Sequence, residues 1–247
     1  VEEGDDHTLE YWSVDKAGNE ELPHKILTGI KLDKTPPAGR VLINNDNVYT
    51  KSNFVILNLS AMDEGSGVDQ MRFSNNGIEW SDWEPFATYK EWILTVGDGT
   101  KEVFVELKDR AGLIATFSDS IILDTTPPLA NAGQKKMITV DVGKTVIFNA
   151  STSSDNIGIA CYEWDFGDGT TEAGIIVTHI YNEPGNYTVT LSVRDMAGNL
   201  ATDMIVITVL QTSEPPIWII VATCVIIIIT IASITVLRRR RKYSTAK

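Results

Sequence analysis

Two kinds of hydrophobic pattern divide this chain. Up to about residue 210, apolar positions alternate with polar ones: Val55, Leu57 and Leu59, then Val103, Val105 and Leu107, then Val189, Leu191 and Val193. A period of two places every second side chain on one face of a strand, so these segments predict half-buried strands of an all-β protein. No stretch reads as an amphipathic helix. From Ile217 to Leu237 the alternation gives way to an unbroken apolar run, followed by Arg238, Arg239, Arg240, Arg241 and Lys242. A hydrocarbon core of about 30 Å needs roughly 20 helical residues, and the basic cluster assigns its own side to the cytoplasm. The run therefore predicts a single-pass transmembrane helix over 217–237 in the cell membrane. A Pro-rich linker (211–216) precedes it, a basic tail (238–247) follows, and everything N-terminal lies outside. Trp218 sits where an interfacial aromatic belongs, and Thr223, Thr230, Ser233 and Thr235 can bond back to their own helix.

A repeat sets the domain boundaries. Asp15-Lys16-Ala17-Gly18-Asn19, Asp109-Arg110-Ala111-Gly112 and Asp195-Met196-Ala197-Gly198-Asn199 each end an alternating segment and are followed by a further strand and a Pro-Pro pair. Glycine supplies positive φ and the Asp and Asn side chains satisfy the turn backbone, so each piece predicts a hairpin turn. Leu113 in place of Asn predicts a turn that differs in detail. Units of about 90 residues fit tandem immunoglobulin-like β-sandwiches. Residues 1–35 supply the last hairpin of one unit, 36–128 a whole unit and 129–210 another. A hairpin is marginal alone, and Val1 is neither an initiator Met nor a signal peptide, so further sequence upstream is expected. Asn75-Asn76-Gly77 predicts a tight hairpin between strands at 70–74 and 78–80. Thr-Pro-Pro at 35–37 and 126–128 predicts stiff, extended joints.

Charge and composition narrow the chemistry. The formal charge is −12, although the last ten residues carry six bases and no acid. The rest is strongly acidic, which argues against nucleic-acid binding. Cys161 lies outside the apolar run and Cys224 inside it, so no intrachain disulfide is expected. Three histidines, and no metal-protease, nucleophile-elbow or phosphate-loop motif, leave no catalytic residues to nominate. Calcium is the better chemical candidate, held by acidic loops at domain ends: Asp63, Glu64 and Asp69, or Asp168 with Asp195. Trp80, Trp83 and Trp92 are either core or a stacking platform for sugar. Asn58, Asn149 and Asn186 open glycosylation sequons.

Residues 129–210 resemble the PKD domain. The resemblance is carried by Trp164-Asp165-Phe166-Gly167-Asp168-Gly169, then His179 and Tyr181, then Pro184-Gly185 and Tyr187. It implies a seven-stranded immunoglobulin-like sandwich in which these residues, His179 included, are structural. Residues 1–35 and 38–126 are similar to Ig-like repeats of large prokaryotic surface proteins, through Asp63-Glu64-Gly65-Ser66-Gly67-Val68, Trp80-Ser81-Asp82-Trp83, Gly97-Asp98-Gly99-Thr100 and Lys31-Leu32-Asp33-Lys34-Thr35-Pro36-Pro37. Both resemblances imply extracellular stalks that carry adhesive or carbohydrate-associated modules. The expected function is a membrane-anchored surface stalk contacting cell wall, protein or carbohydrate. The alternative is the non-catalytic stalk of a surface protease or glycoside hydrolase.

Overall fold

The computed structural model describes residues 2–211 and 225–234. Its architecture is all-β. Strands β1 (Gly4–Tyr11) and β2 (Lys25–Leu32) form an antiparallel hairpin with two register shifts. Among the described residues no second sheet covers it, and Leu9, Tyr11, Ile26 and Leu27 stay exposed.

The next unit runs from β3 (Ala38–Ile43) through β4 (Tyr49–Thr50), β5 (Phe54–Met62), β6 (Val68–Ser74), β7 (Glu84–Pro85), β8 (Tyr89–Ile93), β9 (Gly99–Asp109) and β10 (Ile114–Leu123). A five-stranded sheet ordered β4-β10-β9-β6-β7 faces a three-stranded sheet ordered β3-β5-β8. Val55, Leu57 and Leu59 from one sheet meet Val103, Val105 and Leu107 from the other, all buried, as their alternation predicts. Phe73, Val105 and Phe117 lie opposite one another across β6, β9 and β10.

The third unit repeats this plan. Its strands are β11 (Met137–Asp141), β12 (Thr145–Asn149), β13 (Ile159–Asp165), β14 (Thr171–Ala173), β15 (Ile176–Ile180), β16 (Gly185–Asp195) and β17 (Leu200–Leu210). The larger sheet is ordered β11-β17-β16-β13-β14, and β12 pairs with β15 in the smaller one. In both units a short early strand, β4 or β11, runs parallel to the last strand and closes the edge of the large sheet. Val189, Leu191 and Val193 are buried beneath Trp164, Phe166 and Phe148.

One expectation changes. No strand forms at 78–80; instead Asn76 Oδ1 accepts the amides of Ile78 and Glu79, and the Ser74 hydroxyl accepts those of Asn76 and Gly77. Side chains thereby capture the donors a ladder would use, and β6 pairs with β7 and β9. As for the membrane span, residues 225–234 are helical, but no helix among the described residues is long and apolar enough to cross a membrane. The remainder of 217–237, Cys224, Pro215-Pro216 and the Arg238–Lys242 cluster lie outside the described residues.

Candidate metal centres at the unit junctions

Each of the two Pro-Pro linkers among the described residues is preceded by an aspartate that folds back on it. Proline biases the residue before it toward extended backbone, and an Asp side chain readily accepts the amide two residues on. Thus Asp33 Oδ1 accepts the Thr35 N–H at 3.1 Å, and Asp124 Oδ1 accepts the Thr126 N–H at 3.2 Å. The hairpin turns bring a second aspartate to the same end of each sandwich. Asp109 Oδ1 accepts the Leu113 N–H at 2.8 Å, and Asp195 Oδ1 accepts the Asn199 N–H at 2.9 Å. A loop supplies the third: Asp63 Oδ1 accepts the Gly67 N–H, and Asp155 Oδ2 accepts those of Ile157 and Gly158.

The result is two carboxylate triads, Asp33–Asp63–Asp109 and Asp124–Asp155–Asp195. In each triad one oxygen per residue lies within 4.8 Å of the others. In the second triad Asp124 is fully buried, and its Oδ2 and Asp155 Oδ1 have no hydrogen-bond partner. Burial pushes the Asp124 carboxyl up, and the neighbouring Asp155 and Asp195 carboxylates push it further. An unpaired buried charge is costly. An oxygen-only donor set answers to a hard cation such as Ca²⁺ rather than to zinc, which favours nitrogen and sulfur.

The linkers are also stapled directly. Asp98 accepts the Thr125 amide and hydroxyl, the Thr126 hydroxyl and, from the third unit, the Asn156 side-chain amide at 2.9 Å. The Thr126 hydroxyl, then the Thr125 groups, hold its pKa down at about 2. The Asn199 amide reaches the Asp124 carbonyl at 2.9 Å. At the other joint Glu3 accepts the Thr35 hydroxyl, and Asp33 Oδ2 accepts the Ser66 N–H; the Ser66 side chain first, then the Thr35 and Ser66 amides, lower the Asp33 carboxyl against its burial.

The sequence-based calcium groupings are redrawn. Asp63 joins Asp33 and Asp109, whereas Glu64 and Asp69 are exposed and outside the triad. Asp195 joins Asp124 and Asp155. Asp168 lies near the opposite end of β16, where Gly167 abuts Thr188. Asp33, Asp124 and Asp155 were missed as potential ligands, and Asp109 was read as a turn residue. Their signal is the duplicated Leu-Asp-x-Thr-Pro-Pro (32–37 and 123–128), read together with the turn aspartates.

The motif residues of the third unit form one structural network. Trp164 is fully buried and donates Nε1–H to the Gly174 carbonyl at 3.1 Å. Phe166 stacks on His179 with ring centres 4.1 Å apart, and His179 Nε2 meets Asp168 Oδ2 at 2.7 Å. The Tyr181 hydroxyl donates to the Phe166 carbonyl, and the Tyr187 hydroxyl to the Glu183 carbonyl. Asp165 Oδ1 accepts the Gly167 N–H; Gly167 and Gly169 have positive φ. Pro184 is exposed just before Gly185 opens β16.

The tryptophans do not form one platform. Trp92 packs against Phe73 and donates to Asn75, while Trp80 and Trp83 lie half-buried with Arg72 over both and Lys108 over Trp83. Cys161 is free and exposed. Asn149 and Asn186 are exposed, and Asn58 is half-buried and bonded to Asn45.

A family model described as the PKD domain matches residues 125–209. Over 63 residues the chain is 43% identical to collagenase ColA of Bacillus cereus, covering 26% of this chain and 7% of that protein. Over 105 residues it is 32% identical to the dyslexia-associated protein KIAA0319 homolog of Mus musculus, covering 38% of this chain and 10% of that protein. The crystal structure of the PKD1 domain from the Vibrio cholerae metalloprotease PrtV matches with 33% identity and a TM-score of 0.28, covering 34% of this chain and 98% of that one. The chain thus spans a tenth or less of these two curated relatives. Residues 125–209 of this chain are a PKD domain, a non-catalytic module that follows a sandwich of the same strand order.

Proposed function

We propose that this chain is the accessory region of a larger exported hydrolase of the protease class, and that it spaces and orients a catalytic domain carried elsewhere in that protein. The observation that carries this reading is the PKD module, which also occurs in a collagenase and a metalloprotease. Hydrogen bonds from both neighbours to the linker at 124–128 support a spacer that holds its direction. The apolar run at 217–237 with its basic flank supports a further element, anchoring in the cell membrane with the sandwiches outside.

The test is to recover the native polypeptide with an antibody to residues 129–210, sequence its N terminus and assay peptide and gelatin hydrolysis. A hydrolase domain on the same polypeptide is the expected result. A polypeptide built only of sandwich modules would overturn the reading in favour of an adhesive stalk. Retention in the membrane pellet after alkaline carbonate washing tests the anchor; release into the wash would remove it.

A further inference from the structure

We propose that the joint between the N-terminal hairpin and the first sandwich binds one Ca²⁺ through Asp33, Asp63 and Asp109, and that the ion locks the linker onto the sandwich. This goes beyond the accessory role above and stands or falls independently of it.

Three features point to a ligand at this place. Asp109 is 1% exposed, yet its Oδ2 has no partner. The cause is legible in the sequence. In the turns of Asp15 and Asp195, an Asn side chain four residues on donates to the aspartate Oδ2 at 2.8 Å. In the Asp109 turn that place is Leu113, which can bond only through its backbone, so the second oxygen is left bare. A bare carboxylate oxygen beside two more carboxylates, out of water, is costly to keep charged, and a cation placed among them offsets that cost. Arg110 is close, but its guanidinium donates to the Ser66 carbonyl.

Asp33 is placed with close tolerance. A Cβ on Gly65 would lie 2.5 Å from Asp33 Cγ, so only glycine there lets the linker carboxylate reach the loop. The third feature is room. Asp33 and Asp63 line a cavity of about 620 Å³, together with Lys31, Thr35, Ser66 and Arg110 among others, and Asp109 lies buried behind them. Ca²⁺ takes six to eight oxygen ligands in flexible geometry, so water can complete a shell begun by three carboxylates. The recurrence of linker, loop and turn aspartates at the second joint shows that the arrangement is a construction of the repeat.

The consequence is mechanical. Asp33 belongs to the linker, whereas Asp63 and Asp109 belong to the sandwich, so one ion bridges the two. The experiment is equilibrium dialysis of the full chain, freed of metal, against radioactive Ca²⁺, paired with limited trypsin digestion at Lys34. The wild-type chain should hold an equivalent of Ca²⁺ that Asp63→Asn loses and Asp155→Asn retains. Ca²⁺ should slow cleavage at Lys34 about tenfold in the wild type and not in Asp63→Asn, since cleavage follows the population of the opened joint. Asp33→Asn, on the linker and outside either core, must reproduce both losses if Asp63→Asn proves unfolded in chelator. Equal Ca²⁺ stoichiometry in the wild type and a folded Asp63→Asn or Asp33→Asn chain, or a wild-type cleavage rate indifferent to Ca²⁺, would overturn the proposal.

Discussion

The two sandwiches share a plan and differ in what fills it. Their large sheets have the same strand order, close with the same parallel edge and end in the same aspartate turn. The first packs a mostly aliphatic core of Val, Ile, Leu and Met with one buried ring, Phe73, and keeps Trp80 and Trp83 on its outer face. The PKD domain buries Trp164, Phe166, Phe148 and Tyr181 together. The smaller sheets explain the contrast. In the first unit three strands, β3, β5 and β8, face the large sheet, whereas in the PKD domain only β12 and β15 do. Large rings bury 150–250 Å² each, so an aromatic cluster covers the face that a third strand covers next door. Alternation and turns specify the topology, and the core composition answers to the width of the opposing sheet.

That contrast is broken most severely at Trp164. Trp164→Ala should cost the PKD domain about 3–5 kcal/mol, the usual loss for a buried large aromatic. Denaturation followed by a probe in each unit should show only the PKD transition moving; if both move together, the units unfold as one block. Gly167→Ala comes next. Its Cβ would sit 2.5 Å from the Thr188 carbonyl oxygen at φ +75°, so the backbone must shift. Gly169 has φ +92° with open space around it, and Gly169→Ala should cost only the left-handed penalty of about 1–2 kcal/mol. Melting curves in which Gly169→Ala is the worse variant would refute the packed approach of this turn to β16. Tyr181→Phe falls in a similar range. It leaves the Phe166 carbonyl without its buried donor, worth about 1–3 kcal/mol.

How much of this the sequence carried depends on the range of the interaction. The core faces of β5, β9 and β16 follow from a period of two, and the aspartate turns from Asp-x-Ala-Gly, because both are local. The Asn75-Asn76-Gly77 segment misled because Asn-Gly signals a hairpin only when the following residues find a ladder. Ser74 and Asn76 captured those amides first. The carboxylate triads were least legible. Each takes one aspartate from a linker, one from a loop and one from a turn, separated by 30 to 46 residues in the first case. No local pattern registers such a set; only comparison of one repeat with the next does. Trp80, Trp83 and Trp92 looked like one group because they are near in sequence, yet Trp92 packs on Phe73 while the other two lie under Arg72.

The smallest effect separates the units by pH. Burial raises the Asp168 carboxyl, but hydrogen bonds from Thr170 and His179 outweigh it and leave the pKa below the ordinary 3.8. Because the native state then holds its proton less tightly than the unfolded chain, this group stabilises the PKD domain fully above that ordinary value. The contribution is lost as pH falls through the lowered one. Asp168→Asn should therefore flatten the acid limb of the PKD transition and lower its stability at neutral pH. The first sandwich has its own depressed acid, Asp98, held at about 2 by linker hydroxyls and amides and reached by Asn156 across the joint. Asp98→Asn should accordingly change the acid limb of the first unit and loosen the joint, while Asp168→Asn leaves that unit unchanged. Acid titrations of the two single variants, read at each unit, decide it: a shared response would mean that the carboxylates act through one common structure and not through two separate sandwiches.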